Sequence, residues 1–242
     1  MDFSFNTILF ASLIIFFAFY TRSLFGFGGA LISIPLLAFL FDLKIAVPLE
    51  AIFEVALSLL LIRGIWKDIN WRILYSLLIG SVLGTILGTY FLQSFANIIL
   101  LKILGFVIII FSLNLLFKPD KYLHLPKIFG VFAGIIGGTL GGMFGTSGPP
   151  YVLYLVYQIK PKEILRATLI GLFAFDFIFR LGYFVVKGLI TQDILSMTFL
   201  LTPALIVGTF LGKRHFTVFD EKTYRKLVVI LLIVTGFLLI LK

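Results

Sequence analysis

Ten apolar runs, separated by connectors of only a few residues, take up almost the whole of this 242-residue chain. They lie at about 7–22, 29–41, 46–65, 72–92, 97–117, 127–142, 149–158, 163–187, 193–213 and 223–241. No interval between them could hold a soluble domain, which needs about 50 residues at the least. Apolar residues make up 61% of the chain and charged residues 13%, whereas a soluble domain is roughly 45–50% apolar. Such a chain is surrounded by lipid. At about 20 apolar residues per crossing it has room for about eight to ten membrane segments. The expected fold class is all-α, a polytopic transmembrane helical bundle that forms one membrane domain over residues 1–242. The formal charge of +9 sits mainly in the connectors, so it does not point to nucleic acid as a partner. Cysteine is absent, which excludes disulfides, zinc–thiolate sites and Fe–S clusters. His124 and His215 fall in connectors, and no metal or other cofactor is expected. Met1-Asp2-Phe3-Ser4 lacks the basic residues of a signal peptide, so the first run reads as a membrane segment.

The second and seventh runs are too short for a full crossing, which takes about 17–25 residues. Each follows a glycine-rich break. The first break reads Arg22-Ser23-Leu24-Phe25-Gly26-Phe27-Gly28-Gly29, and the second Gly141-Gly142-Met143-Phe144-Gly145-Thr146-Ser147-Gly148-Pro149-Pro150. Both read as a helix, a break and a half-length helix. The stretch from Gly28-Gly29 to Pro35 recurs as Gly145 to Pro150. Gly84-Thr85-Ile86-Leu87-Gly88 recurs as Gly208-Thr209-Phe210-Leu211-Gly212, and Lys102 as Lys226. The chain therefore reads as two repeats of five segments, about 1–117 and about 127–242.

Basic residues near membrane ends favour the cytoplasmic side. If each broken pair starts and finishes on one side, that face carries 14 of the Lys and Arg residues and the other carries Lys44, Lys102, Lys187 and Lys242. A single broken crossing per pair splits the same residues 10 against 8, which is no bias. The first arrangement inverts the second repeat relative to the first and places both termini outside the cytoplasm. Inverted repeats with broken helices recur in secondary transporters.

Backbone breaks at membrane depth survive only where protein or a water-filled cavity satisfies their polar groups. In both halves the break precedes a helix, whose free N–H groups and partial positive charge suit an anion. Gly26, Gly28, Gly29, Gly145 and Gly148 allow close backbone approach, and Ser23, Thr146 and Ser147 add hydroxyls. One small-anion site between the two breaks is expected, with Arg22 beside it. The glycines spaced by four, at 80, 84 and 88, at 134, 138 and 142, and at 208 and 212, read instead as helix-packing contacts.

Five ionisable residues read as lying inside the membrane, where a charge costs at least a few kcal/mol: Arg22, Glu50, Glu54, Asp176 and Arg180. Asp176 and Arg180, four apart, can pair on one helix face, as a structural ion pair or as part of transport. Glu50 follows Pro48 near a segment end, where an interfacial place competes with a functional one. Glu54 is the expected coupling carboxylate, with protons as the coupling ion.

The run Gly26-Phe27-Gly28-Gly29-Ala30 through Pro35, then Pro48-Leu49-Glu50-Ala51, and the second break resemble the TauE/SafE family of sulfite exporters over essentially the whole chain. The resemblance implies a membrane transporter of sulfite or related sulfur-containing or organic anions. The expected function is secondary transport of a small oxyanion across the cytoplasmic membrane by alternating access. A passive anion channel, a carboxylate transporter and a membrane-embedded enzyme or scaffold are the rivals. No nucleotide-binding motif supports an enzyme or pump, because Gly145-Thr146-Ser147-Gly148 lacks the lysine of a P-loop.

Overall fold

A computed structural model of the chain describes residues 4–25, 29–62, 65–114, 125–215 and 221–242. The described residues form ten α-helices: α1 (Phe5–Phe25), α2 (Gly29–Leu37), α3 (Leu43–Ile62), α4 (Trp71–Ser94), α5 (Asn97–Asn114), α6 (Lys127–Phe144), α7 (Gly148–Gln158), α8 (Lys162–Val186), α9 (Gln192–His215) and α10 (Glu221–Leu241). Each apolar run has become one helix, and the fold is all-α. His215 closes α9 rather than standing in the connector after it. Five of the helices are long and apolar enough to cross a membrane. The half-helices α2 and α7 have 9 and 11 residues, which at 1.5 Å per residue reach about half of the ~30 Å hydrocarbon core.

Large apolar side chains remain exposed along these helices, with Phe199 and Val186 each 80% exposed. An uncovered surface of that kind is the face a protein turns to lipid. Four of the hydroxyls within the helices are satisfied locally. Thr89, Ser112, Thr198 and Thr202 each donate to the carbonyl four residues earlier at 2.7–2.8 Å, which keeps a polar group tolerable in an apolar setting.

The chain divides into two compact units. One contains residues 1–50, 95–117 and 190–242, and the other residues 51–94 and 118–189. Neither coincides with a half of the sequence, because each draws helices from both. In the second unit α4 lies along α6 with the backbones touching. A Cβ at Gly80, Gly84 or Gly88 would overlap the α6 backbone at Val131, Ile135 and Thr139, and one at Gly134 or Gly138 would overlap α4 at Leu77 and Ser81. In the first unit α9 meets α1 in the same manner, Gly208 on the Phe16 carbonyl and Gly212 on that of Tyr20. The glycines spaced by four are packing contacts, as van der Waals association between membrane helices requires.

Candidate functional site

The second break is built from its local sequence. Gly145 ends α6 in the left-handed region at φ 71°, its N–H donating to the Gly141 carbonyl at 2.8 Å. Only glycine adopts that conformation readily. The chain turns through Thr146 and Ser147, and α7 begins at Gly148 with Pro149 and Pro150 in its first turn, where a missing N–H costs little. α7 then runs back along α6. Tyr151 lies against Gly137, Tyr154 against Gly130, and the Gln158 amide donates to the Leu125 carbonyl at 2.8 Å. The pair α6–α7 is thus a hairpin whose two outer ends meet.

A polar cluster sits inside this turn. Asp176 and Arg180 of α8, both 1% exposed, form an ion pair through Oδ2 and Nη2. Ser147 Oγ donates to Asp176 Oδ2 at 2.9 Å, and it accepts from Arg180 Nη2 at 2.9 Å. The Tyr151 hydroxyl donates to Oδ1 at 3.0 Å, and Ser81 of α4 donates to the same oxygen. Four donors therefore fill the carboxylate's roughly four lone-pair sites. Arg180 Nη1 donates to the Gly145 carbonyl at 3.1 Å, while its Nε–H is buried without an acceptor among the described residues. The guanidinium lies over the Phe177 ring at 5.0 Å, within the range of a cation–π contact.

The cluster needs two further glycines. A Cβ at Gly141 would overlap the Arg180 guanidinium, and one at Gly137 the Tyr151 ring. α6 thus carries two glycine rows, one packing on α4 and one making room for the cluster. Ser81, Tyr151 and Gly137 were not anticipated as site residues. The second glycine row, off the spacing-by-four stripe at 134, 138 and 142, is the sequence signal for them.

Thr146 is 4% exposed and Gly148 half-buried. Gly26 and Gly28 lie outside the described residues, and Gly29 opens α2 in a buried position. In the first unit Arg22 is 5% exposed and lies close enough to Glu50 for their charges to interact. Arg22 and Ser33 of α2 act on Glu50, yet among the described residues no hydrogen bond of normal geometry reaches either carboxylate oxygen. Ser23 Oγ, next to the break, is likewise buried without a hydrogen-bond partner among the described residues. Glu50 is 1% exposed in the body of α3. Glu54, one turn further on, is 2% exposed. Among the described residues, no three His, Cys, Asp or Glu side chains gather as metal ligands do.

A buried arginine and carboxylate at a discontinuous helix, inside an all-helical multi-pass bundle, define a class: membrane proteins with a polar centre built on broken helices. The family model described as sulfite exporter TauE/SafE matches residues 11–239, and the chain belongs to this family of membrane transporters. It is 28% identical over 214 residues, 86% of this chain and 83% of the relative, to a "Probable sulfite/organosulfonate exporter TauE" of Cupriavidus necator. It is 26% identical over 167 residues, 62% of this chain and 61% of the relative, to a "Probable membrane transporter protein" of Methanocaldococcus jannaschii. No solved structure matches it.

Proposed function

We propose that the protein is a secondary transporter that moves sulfite or a small organosulfonate out across the cytoplasmic membrane by alternating access. The observation that carries this reading is Arg180: a guanidinium buried beside a broken helix, with an N–H that has no acceptor among the described residues. A buried donor left unpaired costs about 1–3 kcal/mol, and more when it is charged. An oxyanion oxygen at Nε removes that cost. The printed name of the Cupriavidus relative supports sulfur oxyanions as the substrate class. The recurrence of glycine-on-carbonyl packing in α4 with α6 and in α9 with α1 supports two repeats, about 1–117 and 127–242, inverted as the charge distribution suggests. Arg22 and Ser23 at the first break and Thr146, Ser147 and Gly148 at the second are the remaining groups we assign to the anion's path. Glu54 is the carboxylate we assign to proton coupling, because all the acceptor sites of Asp176 are engaged.

The test is thermal unfolding of the purified protein with sulfite, methanesulfonate, acetate or chloride, at two pH values. An anion present at 100 times its Kd stabilises by about 2.7 kcal/mol. Sulfite and methanesulfonate are expected to stabilise the protein beyond acetate and chloride, and Arg180→Gln to abolish the effect. Stabilisation by cations alone, or equally by all four salts, would overturn the reading.

A further inference from the structure

We propose that Tyr151 and Ser81 are positioning residues that act on the transported anion through Asp176 and Arg180. The inference rests on the anion reading above and goes beyond it in saying what holds the arginine in place. Asp176 Oδ1 takes its two hydrogen bonds from α7 and α4, through the Tyr151 and Ser81 hydroxyls. Oδ2 takes its two from Ser147 and Arg180. With four donors in place, the carboxylate accepts a further donor only by giving one up. Its part is to hold, not to bind.

What it holds is Arg180. Nη2 is fixed by Asp176 and Ser147, and Nη1 by the Gly145 carbonyl. Of the five guanidinium N–H groups, Nε–H and the second Nη1–H are left for a ligand among the described residues, and Nε is the nitrogen with no partner at all. A guanidinium is planar, so fixing both Nη atoms also fixes the direction of Nε–H. Tyr151 is fully buried, and Gly137 and Gly141 leave room on α6 for its ring and for the guanidinium. The orientation of one N–H thus depends on hydroxyls from two other helices, α4 and α7. A displacement of either helix against α8 would turn the donor away from the anion, which gives transport motions a direct route to affinity.

The experiment measures methanesulfonate affinity from the ligand-induced shift in unfolding temperature, each variant against its own ligand-free value. Methanesulfonate keeps one charge across the usable pH range, so its own titration does not enter. Tyr151→Phe and Ser81→Ala each delete one hydroxyl and keep Asp176 and Arg180. Each is expected to weaken affinity about fivefold or more, in keeping with the loss of one hydrogen bond to a charged group. In an Arg180→Lys background, where no planar fork remains to be aimed, Tyr151→Phe should change affinity less than about twofold; independent effects would instead add. If Tyr151→Phe fails to fold, Ser81→Ala, which changes little volume, carries the test alone. Wild-type protein that binds methanesulfonate, with both variants within twofold of it, would overturn the inference and leave the anion reading standing. So would a Tyr151→Phe effect that is undiminished in the Arg180→Lys background. Wild-type protein that binds neither methanesulfonate nor sulfite would remove the anion reading, and this inference with it.

Discussion

Gly141, Gly145 and Gly148 stand close together in sequence, yet each is glycine for a different reason. At Gly141 the reason is space, because the Arg180 guanidinium occupies the position of a Cβ. At Gly145 it is backbone conformation, φ 71° at the end of α6. At Gly148 neither holds, since a Cβ there would meet Phe173 at 3.6 Å, an ordinary contact. Gly148→Ala should therefore leave the fold intact. Gly145→Ala should cost about 1–2 kcal/mol, the penalty of a left-handed non-glycine residue. Gly141→Ala should displace Arg180 and remove the methanesulfonate-induced stabilisation even where the protein stays folded. Thermal unfolding of the three variants, with and without methanesulfonate, checks this order, and a Gly148→Ala variant that is the most damaged would contradict it. Sequence reasoning groups Gly145 with Gly148 because both flank one break. Separating them takes a φ angle and a neighbour from another helix, neither of which a single sequence carries.

At the scale of helices, the hydropathy pattern and the glycines carried most of the information. Ten runs became ten helices, and the short ones became half-helices because glycines and prolines interrupt them. The cluster on α8 was legible in part. Asp176 and Arg180 stand out because charges are rare in apolar runs, and their spacing predicts the pair. Ser81 and Tyr151 do not stand out, since hydroxyls and tyrosines are scattered through the chain and the Ser81 partner is 95 residues away. The α4–α6 pair makes a prediction of its own. Its backbones touch at Gly84 and Gly138 with no flexible side chain between them to yield. Gly84→Leu or Gly138→Leu must therefore separate two helices, at or above the roughly 1–3 kcal/mol of ordinary overpacking. The expected result is loss of monodisperse protein in size-exclusion chromatography. Gly182→Ala on α8, with nothing within 4 Å of the new methyl, is the control that should remain monodisperse. Equal behaviour of the three would mean that the α4–α6 contact is not a stability determinant.

At the scale of the molecule, each compact unit sorts its basic residues to one end, which bears on membrane orientation. In the unit holding α4, α6, α7 and α8, the Asn70 N–H donates to Thr168 Oγ1 at 3.0 Å, joining the start of α4 to the first turns of α8. The Gln158–Leu125 bond joins the end of α7 to the start of α6. The Gln93 amide donates to the Lys187 carbonyl at 3.2 Å, joining the far ends of α4 and α8. Lys67, Arg72, Lys127, Lys160, Lys162 and Arg166 thus belong to one end, and Lys187 to the other. In the unit holding α1, α2, α5, α9 and α10, the Asn97 side chain bonds both Asp42, at 2.8 Å, and the Leu43 N–H, at 3.1 Å. Lys242 Nζ donates to the Ala38 carbonyl at 3.2 Å. Lys44, Lys102 and Lys242 thereby share an end, while Lys222, Arg225 and Lys226 open α10 at the opposite one and Lys213 and Arg214 close α9 just before it in the chain. If positive charge marks the cytoplasm, the rich end of each unit faces inward and the poor end outward. A chain without cysteine makes the test direct, because single cysteines can be introduced by Lys160→Cys, Arg214→Cys, Asp42→Cys and Lys187→Cys. In intact cells a membrane-impermeant maleimide should label the cysteines at 42 and 187, and it should reach those at 160 and 214 only after the membrane is opened. The reverse pattern would invert the orientation. Labelling of 42 with 160, or of 187 with 214, and not of the other two, would show that the two units do not share the orientation their charges assign.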